Sequence, residues 1–167
     1  MFNINYIQLF KSLPPQIATM LIAMLPIAEL RVSIPVALGG FKMSVVSAYV
    51  WSIIGNIIPC IIILKYIDPV ARWMSEKSKI MRKFFEWLFA RTRYKFKGKY
   101  LKYGELALVL FVAIPLPITG CWTGSLAAFL FGIPPKRAFW LIFTGVAIAG
   151  VIVTILSKFG MYGMSMI

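Results

Sequence analysis

Two charged side chains, Glu29 and Arg31, lie near the centre of an apolar stretch, residues 17–40. A charged residue at the centre of a membrane helix costs roughly 2.5–3.5 kcal/mol, so such residues usually face a cavity and often mark a transport pathway. A buried carboxyl group can bind and release a proton, whereas a guanidinium stays charged. We therefore predict Glu29 as a proton-coupling site and Arg31 as a contact for an anion or a lipid headgroup. The alternative is a mutually neutralising pair that only holds a turn.

A second polar segment, residues 115–124 (PLPITGCWTG), interrupts another apolar stretch. Thr119 is predicted to cap the helix that follows, whose free N–H groups would point into the membrane interior. We predict a cavity between the two segments, lined by Ser33, Pro35, Pro117, Thr119, Gly120, Trp122, Thr123 and Gly124. For the glycines, close helix packing is the favoured alternative. For Thr119 and Trp122, a role in the structure of the turn is equally favoured.

The sequence contains little other chemistry. It has no histidine, no paired carboxylates and no nucleophile beside a base, so it does not predict an enzyme or any catalytic residue. Its two cysteines, Cys60 and Cys121, lie inside apolar runs and are too few to form a structural zinc site. We expect no metal and no other cofactor.

The elements that must position these residues are apolar helices. The chain has 167 residues, of which 60% are hydrophobic and 14% are charged, a balance that excludes an ordinary soluble domain. Residues 43–64 and 138–157 are free of charge and long enough to cross a hydrocarbon layer of about 30 Å. Residues 17–40 and 106–132 are broken by proline and polar residues, so each is predicted to form two half-helices.

The order of these blocks indicates an internal repeat. A broken block precedes a continuous block twice, and an offset of about 91 residues pairs Pro26 with Pro117 and Ala37 with Ala128. We predict a single all-α polytopic membrane domain, residues 1–167. Its two inverted repeats, residues 12–66 and 105–158, would each be a re-entrant helical hairpin followed by a transmembrane helix. Residues 67–104 would connect them.

The connection is strongly basic. Twelve of the 18 lysines and arginines lie in residues 65–102, which predicts a cytoplasmic location by the positive-inside bias, with both chain ends outside. Apolar residues recur at helical spacing over residues 70–89, which predicts an amphipathic helix on the cytoplasmic leaflet in contact with anionic lipid. Membrane topology explains the charge, so we expect no nucleic-acid partner.

Residues 28–39 (AELRVSIPVALG) and residues 115–124 resemble the two signature stretches of the putative small multidrug export proteins, a prokaryotic membrane family. Cys121 stands where alanine is expected. That family is distantly similar to the DedA superfamily, whose paired re-entrant hairpins carry acidic and arginine residues linked to proton-dependent transport or lipid translocation. The resemblance implies a transport function and supports the functional roles predicted for Glu29 and Arg31.

These observations predict a multi-pass secondary transporter or exporter of small molecules in the cytoplasmic membrane, coupled to protons through Glu29. One alternative is a flippase or scramblase of a phosphate-bearing lipid. The other is a membrane assembly factor without transport activity. The expected partners are membrane lipids and a small-molecule or lipid substrate, and self-association into a homo-oligomer stays open.

Overall fold

A computed structural model describes the backbone of residues 8, 10, 12–95, 99–116 and 119–164, and the same side chains except those of residues 88–103 and 163–164. Every regular element in these ranges is helical. The helices are α1 (Pro15–Met24), α2 (Glu29–Pro35), α3 (Val45–Lys77), α4 (Lys79–Lys95), α5 (Lys99–Ala113), α6 (Cys121–Leu130) and α7 (Pro135–Met164), and a π-helical turn, Val36–Gly40, follows α2.

Two helices, α3 and α7, are long and apolar enough to cross a membrane. The Ser44 side chain caps α3 by accepting a hydrogen bond from the Ser47 N–H at 3.3 Å, and Pro135 opens α7, where its missing N–H costs nothing. Both helices are longer than the charge-free stretches of the sequence, residues 43–64 and 138–157. With 33 residues, α3 is about 50 Å long, so its last turns extend beyond a hydrocarbon layer of about 30 Å.

Both broken blocks form two helices separated by a turn, as predicted. In the first block the chain leaves the helix at Leu25, whose ψ of 134° is the extended conformation that a following proline imposes. In the second block the break lies between α5 and α6 and contains Pro115. Pro35 does not break its block. It lies inside α2, and the backbone continues as the π-helical turn, in which the Phe41 N–H bonds to the Val36 carbonyl at 3.0 Å.

Each half of the chain contains an unusually close contact between two of its helices. A Cβ on Gly55 of α3 would overlap the backbone carbonyl of Met20 in α1, and a Cβ on Gly145 of α7 would lie 2.9 Å from the carbonyl oxygen of Val109 in α5. The two glycines are 90 residues apart and their partners 89, so both pairs match the repeat in the sequence. Each glycine lets the first helix of its half pack directly on the long helix.

The long helices α3 and α7 run antiparallel. The Tyr49 hydroxyl, near the start of α3, donates to the Ala147 carbonyl at 3.0 Å, while Lys65, 16 residues further along α3, lines one groove with Lys136 at the start of α7. At the same end, Arg137 forms an ion pair with Glu105 of α5 at 2.8 Å. The segment from α5 through α6 therefore starts and finishes at one end of the helix pair.

The polar connection differs from the prediction of one amphipathic helix over residues 70–89. Helix α3 continues to Lys77, and the chain breaks at Ser78, whose φ of −135° and ψ of 122° are extended. The Ser78 hydroxyl then accepts a hydrogen bond from the Met81 N–H at 3.4 Å, which favours a new helix start at Lys79. Helix α4 contacts α6 through the rings of Phe85 and Phe129, whose centroids are 6.3 Å apart.

Candidate functional site

The buried ion pair of Glu29 and Arg31 lies at the turn between α1 and α2. The Arg31 Nη2 donates to the Glu29 Oε2 at 3.2 Å, and Glu29 is 5% exposed. Both residues belong to α2, which begins at Glu29. The two side chains meet despite their i, i+2 spacing because Glu29 has a φ of +46°. This left-handed conformation is rare for glutamate and typical of functional sites.

The Glu29 carboxylate reaches the first turn of α6, which belongs to the other half of the chain. Its Oε1 lies 3.5 Å from the backbone nitrogen of Trp122, and the Cys121 backbone N–H also faces the carboxylate. Helix α6 has Gly120 at its N-cap position and no capping side chain of its own. A Cβ on Gly120 would overlap the Glu29 carboxylate. Glu29 therefore supplies the negative charge that a helix N-terminus favours.

Arg31 makes the second connection between the halves, because its Nη2 also donates to the Thr119 backbone carbonyl. Thr119 does not cap α6, contrary to our expectation. Its hydroxyl instead bonds within the turn, donating to the Ile114 carbonyl at 2.6 Å and accepting from the Leu116 N–H at 3.1 Å. This bonding fixes the turn and presents the Thr119 carbonyl to Arg31. The contact predicted between residues 29–31 and 119–122 is confirmed.

A small cavity of about 10 Å³ lies beside the ion pair and is lined by Glu29, Arg31, Asn56 and Gly120 among others. This volume holds about one water molecule. The Asn56 Nδ2 donates to the Ala23 carbonyl at 3.3 Å, a hydrogen bond between α3 and α1. Its Oδ1 is buried and has no hydrogen-bond partner among the described residues. Asn56 therefore adds an unused acceptor to the site.

A larger open groove, of about 470 Å³, lies on the other side of Arg31. It runs between α2, the turn before α6 and the C-terminal part of α7, and Pro35, Pro115, Val153 and Met161 contribute to its walls. Among the described residues that line it, Arg31 alone is charged. The Arg31 side chain is 22% exposed, and both its hydrogen bonds use Nη2. Three of the five guanidinium N–H groups therefore have no partner in the described part of the chain.

The other predicted lining residues occupy varied positions. Ser33 is fully buried and donates to the Ser52 hydroxyl at 2.8 Å, so it joins α2 to α3. The Trp122 indole donates to the Met24 carbonyl at 3.2 Å, and the Thr123 hydroxyl lies 3.4 Å from the Gly120 carbonyl. A Cβ on Gly124 would lie 2.6 Å from the Val112 side chain, so this glycine serves close packing. Pro117 lies outside the described residues.

The sequence interpretation gave no place in the site to Asn56 or Pro115. Asn56 is the amide side chain in an otherwise apolar stretch, and that contrast could have indicated a cavity as well as a helix contact. Cys60 and Cys121 are both buried, and the Cys121 thiol donates to the Asn56 carbonyl at 2.9 Å. Among the described residues, no group of three or more His, Cys, Asp or Glu could hold a metal ion.

In the described part of the chain, two helices of membrane-spanning length accompany an ion pair that lies between two broken helical blocks, an arrangement compatible with a helical membrane protein. The family model described as "Putative small multi-drug export protein" matches residues 29–152, from Glu29 itself to the second half of α7. The chain therefore belongs to this family. The search of curated proteins and the search of solved structures returned no match, and the similarity to the DedA superfamily stays a prediction.

Proposed function

We propose that the protein is a multi-pass secondary transporter of the cell membrane, and that its two broken blocks are re-entrant hairpins forming an inverted repeat. The position of Lys136 beside Lys65 supports this topology. If both broken blocks crossed the membrane, the starts of α5 and α7 would lie on opposite sides, whereas Glu105 and Arg137 form an ion pair. With α3 and α7 antiparallel, the two halves have opposite orientations.

Helix length supports the same arrangement. Helices α1 and α6 have ten residues each, so each is about 15 Å long, roughly half of the hydrocarbon thickness. Unpaired backbone groups in the turns could not face lipid without a cost of several kcal/mol each. Each turn covers the other through the bonds of Glu29 and Arg31 to residues 119–122.

The observation that carries the proposal is the buried ion pair at the contact between the two hairpins. While Glu29 is charged, it neutralises Arg31 and holds the N-terminus of α6. Protonation of Glu29 removes one charge from this contact, weakens both interactions and leaves Arg31 with an unbalanced positive charge. Proton binding would thereby loosen the two hairpins and admit an anionic substrate group at Arg31.

This charge balance sets an expectation for the substrate. A positively charged substrate would be repelled by Arg31 in the proton-bound state, whereas an organic anion would be attracted to its free N–H groups. The name of the family refers to multidrug export, and we propose export as the direction of transport. The open, mainly apolar groove next to Arg31 also favours the second candidate, a flippase for a phosphate-bearing lipid.

A reconstitution experiment separates these functions. Proteoliposomes would be loaded with carboxyfluorescein as an anionic probe, with ethidium as a cationic probe, or with a fluorescent phosphatidylglycerol in one leaflet. Release of the anion that requires a pH gradient supports the proposed transporter. Lipid exchange independent of the gradient supports the flippase. Ligands selected by a native mass spectrometry screen of lipids and metabolites would be tested in the same way. If none of the probes or ligands moves, the result contradicts transport and favours an assembly factor.

A further inference from the structure

A second groove lies between the middle of α3 and the start of α7. It has a volume of about 410 Å³, and its lining includes the two lysines Lys65 and Lys136 and the apolar side chains Ile61, Leu64, Phe139 and Trp140. Trp140 is 64% exposed although its neighbours are apolar. The groove is therefore apolar along its walls and basic on both sides.

Neither lysine forms an ion pair with an acidic side chain in the described part of the chain. All five carboxylate side chains of the chain lie in described residues, and the three ion pairs found there are made by Arg31, Arg72 and Arg137. The ammonium of Lys65 lies 5.3 Å from the centroid of the Tyr66 ring, a contact that attracts the ammonium but supplies no negative charge. The groove thus presents two positive charges without an internal anion.

The depth of the lysines matches that of lipid phosphates. Twenty residues separate Val45, the first residue of α3, from Lys65, which is about 30 Å of helix and one hydrocarbon thickness. Lys136 immediately precedes the charge-free stretch of α7. An exposed tryptophan at this level is typical of the interface between hydrocarbon and headgroups.

We propose that this groove is a specific binding site for an anionic phospholipid. Its phosphate lies between Lys65 and Lys136, and an acyl chain follows Leu64, Ile61 and Trp140 towards the membrane centre. The lipid bridges the middle of α3 and the start of α7, at the level where the basic residues of the chain begin. Basic pockets between membrane helices recognise phosphate headgroups in this way. The site does not depend on Glu29 or on transport.

Lipid retention tests the site. The purified full chain would be exposed to equal amounts of phosphatidylglycerol and phosphatidylcholine, and bound lipids counted by native mass spectrometry. We expect selective retention of phosphatidylglycerol. The double variant Lys65→Gln, Lys136→Gln should retain it about thirtyfold less tightly, since each basic residue near the surface contributes roughly fivefold. The matched control Lys42→Gln, Lys158→Gln removes two lysines outside this groove and should bind as the unmodified chain does. Equal loss in both variants, or equal retention of both lipids, would overturn the proposal.

Two further measurements distinguish a lipid from its headgroup and do not depend on the lysine variants. Inorganic phosphate and glycerol phosphate lack acyl chains and should not displace the bound lipid; displacement at comparable concentration would show a simple anion site. Brominated phosphatidylglycerol should quench fluorescence more strongly in the unmodified chain than in Trp140→Phe, whereas brominated phosphatidylcholine should not. The absence of this difference would contradict an acyl chain beside Trp140.

Discussion

The Glu29 carboxylate holds the N-terminus of α6, a helix in the other half of the chain. It does so because Gly120 leaves room for it and because its own φ of +46° turns the side chain towards both Arg31 and the Trp122 amide. The Glu29 carboxylate thus contacts both Arg31 and the start of α6, which come from the two polar segments that interrupt the apolar stretches of the sequence. A change in its charge acts on both hairpins together.

Replacing Glu29 with Gln tests the role of this charge. Glutamine has the same shape and can still bond to Arg31 or the α6 amides through its amide group, but it does not titrate. We expect a folded protein whose flux in proteoliposomes no longer responds to a pH gradient. The control is Glu76→Gln, an exposed carboxylate near the end of α3, which should leave the response unchanged. Normal gradient-dependent flux in Glu29→Gln would remove the proposed coupling role.

Gly120→Ala tests the fit between the two turns. The new methyl group would overlap the Glu29 carboxylate, and Gly120 has a φ of 155°, so we expect a loss of stability of about 1–3 kcal/mol from displacement and strain. The control is Gly160→Ala, because nothing lies within 4 Å of a Cβ at Gly160. Thermal unfolding in detergent measures the stability of both variants. Equal transition temperatures would show that Glu29 does not occupy this space.

At the scale of elements, the same kind of close helix contact occurs once in each half of the chain. A small residue on each long helix, Gly55 or Gly145, lets the first helix of the same half approach to backbone contact. Membrane helices associate through such close packing, because lipid and protein interior are equally apolar. The matching positions of the two contacts are stronger support for an internal repeat than the weak identity of the sequences.

Gly55→Ala and Gly145→Ala should therefore have similar effects. Each new Cβ would lie within 3 Å of a backbone atom, Met20 Cα or the Val109 carbonyl oxygen respectively, and backbone cannot move as a flexible side chain can. We expect a loss of roughly 1–3 kcal/mol for each variant. Gly39→Ala, whose Cβ would lie 3.7 Å from the Met161 sulfur, is the control and should be nearly neutral. A large effect for one repeat only would contradict equivalent packing.

At the scale of the whole molecule, the distribution of charge follows the contacts between helix ends. Lys65 and Lys136 line a groove at the start of α7, while Gly39 and Met161 line another groove near the opposite end of α7. If both broken blocks return to their starting side, the positive-inside bias places the start of α7 in the cytoplasm.

Cysteine labelling in intact cells tests this orientation. In a background with Cys60 and Cys121 replaced by alanine, Lys79→Cys and Lys136→Cys should be protected from an impermeant thiol reagent, and Lys42→Cys should be labelled. Lys136→Cys separates the two topologies, since its residue would face the opposite side from Lys79 if the second broken block crossed the membrane. Labelling of Lys136→Cys with protection of Lys79→Cys would overturn the re-entrant arrangement.

The sequence by itself determined the helical class, the two long apolar helices, the two broken blocks and the unusual pair Glu29 and Arg31. These follow from local properties: hydrophobic length, the missing N–H of proline and the cost of a charge in an apolar run. The tertiary structure decided which groups the pair bonds. Thr119 binds its own turn instead of capping α6, the Glu29 carboxylate faces the N-terminus of α6, and Arg31 lies in a helix next to an open groove. The contacts of Glu29 with α6 and of Arg31 with the Thr119 carbonyl join residues about 90 positions apart, which the spacing of residues along one helix does not encode.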